Sequence, residues 1–283
     1  MSFEEVPLGV RMGNAFIAYI AYIEKMIWPG NLAVLYPHSG LLLSWQLWGS
    51  LFLLIAITLA VIWTAKRFPY LATGWLWYLG TLVPVIGIVQ VATQAMADRF
   101  TYIPLIGLFI MAAWGVPDLL KKWKYRKEIL VILSALSILC LSIITWTQVR
   151  YWQNSITLYN HSLKVTENNM FIYYNRGFYY HNLGNYSKAI EDYNRAIEIK
   201  PDYAEAYNNR GGAYDGLGNY RQAIEDYTRA IEIKPDYAEA YYNRGVAYLN
   251  QGDNKLGCDD AQKACAKGLC KLLEASKGKG LCR

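Results

Sequence analysis

Charge is scarce in this chain. Only 18% of its 283 residues are Asp, Glu, Lys or Arg, against 54% hydrophobic. That balance is apolar for a soluble protein. Histidine is scarcer still, at three residues. None lies beside the cysteines, which weakens both a Cys/His zinc site and a Cys–His nucleophile. No Gly-rich phosphate loop, helical pair of metal ligands or Ser-based triad spacing stands out.

What the chain does have is long apolar runs, all in its first half. About Leu41 to Thr64, Tyr70 to Val89, Thr101 to Leu119 and Ile129 to Thr147 are each apolar enough to cross a hydrocarbon core of roughly 30 Å. Function is therefore to be sought at a membrane surface. Residues 1–150 hold 11 Lys/Arg against 6 Asp/Glu, and residues 151–283 hold 17 against 16. The excess of +6 thus falls mostly in the apolar half, where it speaks for topology and not for nucleic acid. Lys66 and Arg67 separate the first two runs; Lys121, Lys122, Lys124, Arg126 and Lys127 separate the last two. By the positive-inside rule these loops face the cytoplasm. Everything after Thr147 then lies on the opposite, extracytoplasmic side, with the N-terminal segment and the loop from Val91 to Phe100. Trp28, Trp45, Trp75, Trp77, Trp146 and Trp152 suit interfacial belts. Residues 7–28 carry Ala15, Tyr19, Tyr22, Ile23 and Met26 at helical spacing, which predicts an interfacial amphipathic helix leading into a loop.

The second half repeats itself every 34 residues, a period that identifies a solenoid. Tyr173, Tyr207 and Tyr241 align, as do Asn175, Asn209 and Asn243; Gly177, Gly211 and Gly245; Gly184, Gly218 and Gly252; and Ala196, Ala230 and Ala264. Tyr193 and Tyr227 match in the first two copies, where the third has Ala261. A degraded last copy suits a capping repeat. Each copy reads as a helical hairpin, with small residues at the helix contact, a Gly-led turn, and Pro201-Asp202 ending the second helix of the first copy. These positions resemble the tetratricopeptide repeat, with copies at about 170–203, 204–237 and 238–271 and a lead-in helix from Tyr151 to Thr166.

The fold class expected is all-α: a polytopic membrane domain over 1–150, with four spanning helices and the N-terminal interfacial helix, followed by a repeat α-solenoid over 151–283 with a Cys-rich cap. Asn175, Asn209 and Asn243 fall on the side that becomes concave when hairpins stack. An amide both donates and accepts, so such a ladder can bond an extended backbone without reading its sequence. The alternative is that these residues bond neighbouring backbone. Arg176, Arg210 and Arg244 read as outward, solvated residues paired with Asp or Glu. Cys258, Cys265, Cys270 and Cys282 cluster in the cap and allow three disulfide pairings. An oxidising compartment would let them form; a four-thiolate zinc site fits the spacing less well, and no metal is expected.

Arg11, Asn14, Tyr19, Tyr22, Trp28-Pro29, Leu32 and Tyr36-Pro37, with Met96 to Pro104 and Gly107-Leu108-Phe109, resemble the transmembrane-and-tetratricopeptide family of GT-C type glycosyltransferases. The resemblance implies transfer of a sugar from a polyprenyl-phosphate donor to hydroxyls of exported or envelope proteins held by the repeats. The family's first outer loop, which carries its acidic residues, has no counterpart here, so the chain reads as the C-terminal part of such an enzyme, dependent on an upstream catalytic membrane subunit. Arg99, beside Asp98, is a candidate donor-phosphate ligand, because a guanidinium at the membrane boundary can grip a phosphate bidentately; the alternative is an interfacial Asp–Arg pair that only ends a spanning helix. Glu4, Glu5 and Glu24 are the other carboxylates of the outer side and His38 lies in a loop there; none is assigned as catalytic. The alternative function is a membrane-anchored adaptor without chemistry.

Overall fold

A computed structural model describes residues 8–30, 32–33, 36, 44–84, 86 and 102–282. Among them are thirteen α-helices and no extended strand. They fall into two compact units divided between Glu167 and Asn168. The helix read as a lead-in to the repeats therefore belongs to the first unit. Asn168 takes the left-handed conformation, φ 49°, which asparagine tolerates better than most residues.

The first unit contains α1 (Leu8–Ile27), α2 (Ser44–Thr64), α3 (Pro69–Leu82), α4 (Tyr102–Leu119), α5 (Arg126–Tyr151) and α6 (Ser155–Val165). Three helices among the described residues are long and apolar enough to cross a membrane: Trp45–Thr64 in α2, then α4 and α5. The second expected span appears as α3, whose 14 residues reach only about 21 Å; most of its expected C-terminal part lies outside the described residues. The face of α1 expected to lie in the membrane interface is instead a core. Ala15, Ala18, Tyr19 and Tyr22 are buried with Leu54, Trp75 and Tyr78 of α2 and α3. Two tyrosines lock α1 to α3, with Tyr19 Oη donating to the Leu79 carbonyl at 2.9 Å and Tyr78 Oη donating to the Tyr19 carbonyl. Each bond joins a side chain of one helix to the backbone of the other. α3 and α4 touch backbone to backbone: a Cβ on Gly74 would overlap the Gly107 carbonyl oxygen, and one on Gly107 the Gly74 oxygen. By contrast, α5 buries none of its 26 residues. A helix apolar on every side is a membrane span or a core element.

The second unit stacks three hairpins and a short helix: α7 (Met170–Asn182) with α8 (Tyr186–Ile199), α9 (Ala204–Gly216) with α10 (Tyr220–Ile233), α11 (Ala238–Gln251) with α12 (Asn254–Ala266), then α13 (Lys271–Gly278). Each turn needs a left-handed residue, supplied by Gly184 (φ 73°), Gly218 (φ 76°) and Gly252 (φ 94°). Within each of the first two hairpins an aromatic ring seats on a glycine. A Cβ on Gly177 would meet the Tyr193 ring at 3.0 Å, and one on Gly211 the Tyr227 ring at 2.8 Å. The third copy has Ala261 where those tyrosines stand, and Leu272 of α13 comes within 2.8 Å of a Cβ on Gly245. Two disulfides, Cys265–Cys270 and Cys258–Cys282, tie the two flanks of α13 to α12.

The three repeated arginines pair with acidic residues, as the sequence implies, but they are largely buried and not solvated. Arg176, Arg210 and Arg244 make two-pronged ion pairs with Asp192, Asp226 and Asp260, at 2.6–3.0 Å. The aspartate side chains are only 3–8% exposed. Arg210 Nη1 also donates to Asn194 Oδ1 at 2.6 Å, and Arg244 Nη1 to Thr228 Oγ1 at 2.9 Å. Each of these two side chains therefore joins its own hairpin and fastens it to the preceding one. Burial pushes the Asp192 and Asp226 carboxyls up from the ordinary carboxylate range, against the opposing pull of their arginines.

A candidate peptide groove in the repeat unit

The first helices of the hairpins, α7, α9 and α11, line a cavity of about 550 Å³. Its walls are Tyr174 and Phe178 of α7, Asn208 and Asn209 of α9, and Glu239, Tyr242 and Asn243 of α11, with Tyr237, Leu269 and Lys271. The stacking of hairpins by the arginine bonds brings these three helices side by side.

Four side chains form a head-to-tail hydrogen-bonded chain along the floor. Asn243 Nδ2 donates to Asn208 Oδ1 at 3.0 Å, Asn208 Nδ2 to Asn209 Oδ1 at 3.2 Å, and Asn209 Nδ2 to Tyr174 Oη at 2.9 Å. Of the expected ladder, Asn209 and Asn243 therefore lie in the groove. Asn175 is not among its lining residues, and the Tyr174 hydroxyl ends the chain. The ladder positions do not touch each other directly; Asn208 bridges them. Asn208 escaped the sequence reading because its equivalents are Tyr174 and Tyr242, so its column shows no periodicity. After the bonds within the chain the amides of Asn208 and Asn243 each keep a second hydrogen, Asn209 pairs also with the Tyr193 hydroxyl, and the Tyr174 hydroxyl keeps its own hydrogen. The floor thus offers donors suited to the carbonyls of an extended backbone.

Tyr174 stacks obliquely on Tyr203, ring centroids 5.1 Å apart. Burial above all raises the phenols of Tyr174, Tyr203 and Tyr237, and the charge of Glu205 adds to the effect on each. All three are therefore neutral donors at physiological pH. Glu205 is held by Lys234, whose Nζ lies 3.3 Å from its carboxylate and 4.5 Å from the Tyr237 ring centroid.

The cap forms part of the groove wall. Leu269 and Lys271 flank Cys270, so the Cys265–Cys270 disulfide fixes the segment that carries them. Among the described residues no group of three metal-ligating side chains comes together. Asp98 and Arg99, the expected donor-phosphate pair, lie outside the described residues, as do Glu4, Glu5 and His38. Glu24 is exposed on α1.

Two family models match the chain. The model described as a TPR repeat covers residues 180–218 and 216–252, and the one described as a tetratricopeptide repeat covers residues 158–191, beginning inside α6. The crystal structure of MamA is similar at 26% identity over 49% of this chain and 84% of that one, with a TM-score of 0.42. The Sgt2 TPR domain from Aspergillus fumigatus is similar at 26% identity over 39% and 78%, TM-score 0.38. The second TPR domain of the human RPAP3 protein, determined with the HSP70 peptide SGPTIEEVD, is similar at 27% identity over 37% and 92%, TM-score 0.36. No curated protein matches the chain. Neither family match reaches α12, where the third copy departs from the first two. Residues 158–252 of this chain are tetratricopeptide repeats, an architecture typical of protein–protein interaction.

Proposed function

We propose that this chain is a membrane-held interaction protein whose repeat groove holds an extended segment of a partner protein. A hydrogen-bonded amide chain along the floor of the groove, running head to tail from Asn243 to Tyr174, supports this reading above all. A fixed row of donors at the bottom of an aromatic cleft suits a backbone more than any one side chain. The apolar helices support anchoring. α5 has no buried residue and a basic cluster, Lys121 to Lys127, at its start, which by the positive-inside rule favours an extracytoplasmic repeat unit and exported or envelope partners.

The test has two arms. Alkaline extraction of membranes from expressing cells should leave the full chain in the pellet, and its release would defeat the anchoring claim. Fluorescence anisotropy with a labelled pool of unstructured peptides should show saturable binding that the Asn209→Ala, Asn243→Ala pair abolishes. Binding indifferent to that pair would remove the groove from the account. The finer reading, sugar transfer from a polyprenyl-phosphate donor to the held protein, rests on the family resemblance around Asp98 and Arg99. Its own assay is transfer of labelled sugar in proteoliposomes, with Arg99→Ala as the variant expected to lose it.

A further inference from the structure

Resting on the reading of the groove as a peptide site, the spacing of its contacts identifies the conformation of the segment it takes. The hydrogen-bonded floor runs across the first helices, from Asn243 on α11 through Asn208 and Asn209 on α9 to Tyr174 on α7. Tyr174, Asn208 and Tyr242 form one column of the repeat and all line the cavity. A segment lying along the floor therefore meets an equivalent position once per helix. Neighbouring helices pack about 8–10 Å apart. A polyproline II segment advances about 9.3 Å per turn of three residues and presents the same face at each turn. A β-strand presents the same face about every 6.6 Å, so a strand in step at α7 would be out of step at α9.

The chemistry of the lining agrees with the spacing. The spare amide hydrogens of Asn208 and Asn243 and the hydroxyl of Tyr174 are donors. A polyproline II backbone makes no internal hydrogen bonds, which leaves its carbonyls to accept them, and proline brings no N–H in need of an acceptor. Phe178 stands on the wall with 47% of its surface exposed. Glu239 and Lys271 are the charged side chains of the lining, one of each sign, a balance that favours a segment without net charge. We infer that the groove selects an uncharged, proline-rich segment in the polyproline II conformation, its pyrrolidine rings packed between Tyr174, Phe178 and Tyr242 and its carbonyls bonded to the amide floor. Such a segment is ordered before it binds, so little chain entropy is lost on docking.

The experiment uses the full chain in detergent micelles and three labelled, uncharged peptides of about nine residues, roughly 28 Å as polyproline II. One is built of Ala-Pro-Pro triplets, one alternates Gly and Ser, and one alternates Thr and Gln. The Ala-Pro-Pro peptide should bind about tenfold more tightly than the flexible Gly-Ser peptide, and the Thr-Gln peptide no more tightly than Gly-Ser. Phe178→Ala, at an exposed site whose change leaves the circular dichroism intact, should weaken Ala-Pro-Pro about three- to tenfold and Gly-Ser by less than about twofold. Equal affinities in the wild-type chain, a preference for Thr-Gln, or a proline preference that Phe178→Ala leaves in place would overturn the inference while leaving the peptide site standing. Ala-Pro-Pro binding indifferent to the Asn209→Ala, Asn243→Ala pair would overturn both.

Discussion

Leu272 seats against Gly245 as Tyr193 seats against Gly177 and Tyr227 against Gly211. The residue that completes the third hairpin thus comes from outside the repeat, eleven positions after the alanine that replaced the tyrosine. A residue with that role behaves as core: Leu272 is 7% exposed. Leu272→Ala should therefore cost about 2–4 kcal/mol. Thermal unfolding followed by circular dichroism should show a lower midpoint, and an unchanged midpoint would mean that α13 is an ornament of the cap.

The two disulfides should stabilise the same region by separate amounts. Loop-closure entropy assigns about 3 kcal/mol to Cys258–Cys282, which encloses 24 positions, and about 2 kcal/mol to Cys265–Cys270, which encloses five. Cys282→Ser and Cys270→Ser, compared in denaturant titrations under oxidising conditions, should follow that order. Peptide mapping without reduction would detect any other pairing.

Asp226→Ala leaves Arg210 largely buried without its carboxylate, a loss of about 3–5 kcal/mol. Replacing both partners, Arg210→Met with Asp226→Leu, should recover most of it, since the desolvation of both charges is removed together. Urea unfolding of the two variants distinguishes this buried pair from a surface bridge, for which both changes would be nearly silent.

Acid should weaken the first unit through His161. Burial, with the charge of Lys164, holds this imidazole below its ordinary range; a backbone hydrogen bond to Leu32 opposes them, and Tyr151 stacks on the ring at 3.8 Å. The unfolded chain then binds the proton more readily, so stability is complete above the unfolded value of about 6.5 and declines as pH falls through it toward the folded value. His161→Gln should flatten that slope between about pH 7 and pH 5. An unchanged slope would assign the acid sensitivity to other groups.

Gly107→Ala should separate α3 from α4, because the added methyl meets the Gly74 carbonyl and no flexible side chain can yield. The midpoint of thermal aggregation in detergent should fall, and Gly49→Ala, at a site with open space around its Cβ, should leave it in place.

The hairpins were readable because their small residues and turns must recur every 34 positions, and the recurrence survives in the sequence. The groove was only partly readable for the same reason in reverse. Its floor mixes a repeated column, Asn209 and Asn243, with a variable one, Tyr174, Asn208 and Tyr242, and a site that binds something particular resides in the variable column. That the arginines pair with Asp or Glu was expected; which aspartates they take was also legible, since each follows its arginine by 16 positions in all three copies. In the apolar half, length and hydrophobicity are legible in the sequence but packing is not. Nothing in the composition of residues 8–27 separates a helix lying at the lipid surface from one locked by Tyr19 and Tyr78 to its neighbours.

By sealing the last hairpin, α13 also sets a measure. Three first helices at the usual spacing of about 8–10 Å span roughly 20–30 Å, the reach of six to nine extended residues. Leu272 packs α13 on the third hairpin, and two disulfides tie it to α12. For a groove that holds a peptide as proposed, this span is a ruler, and a longer partner would be gripped over one short stretch and left free on either side.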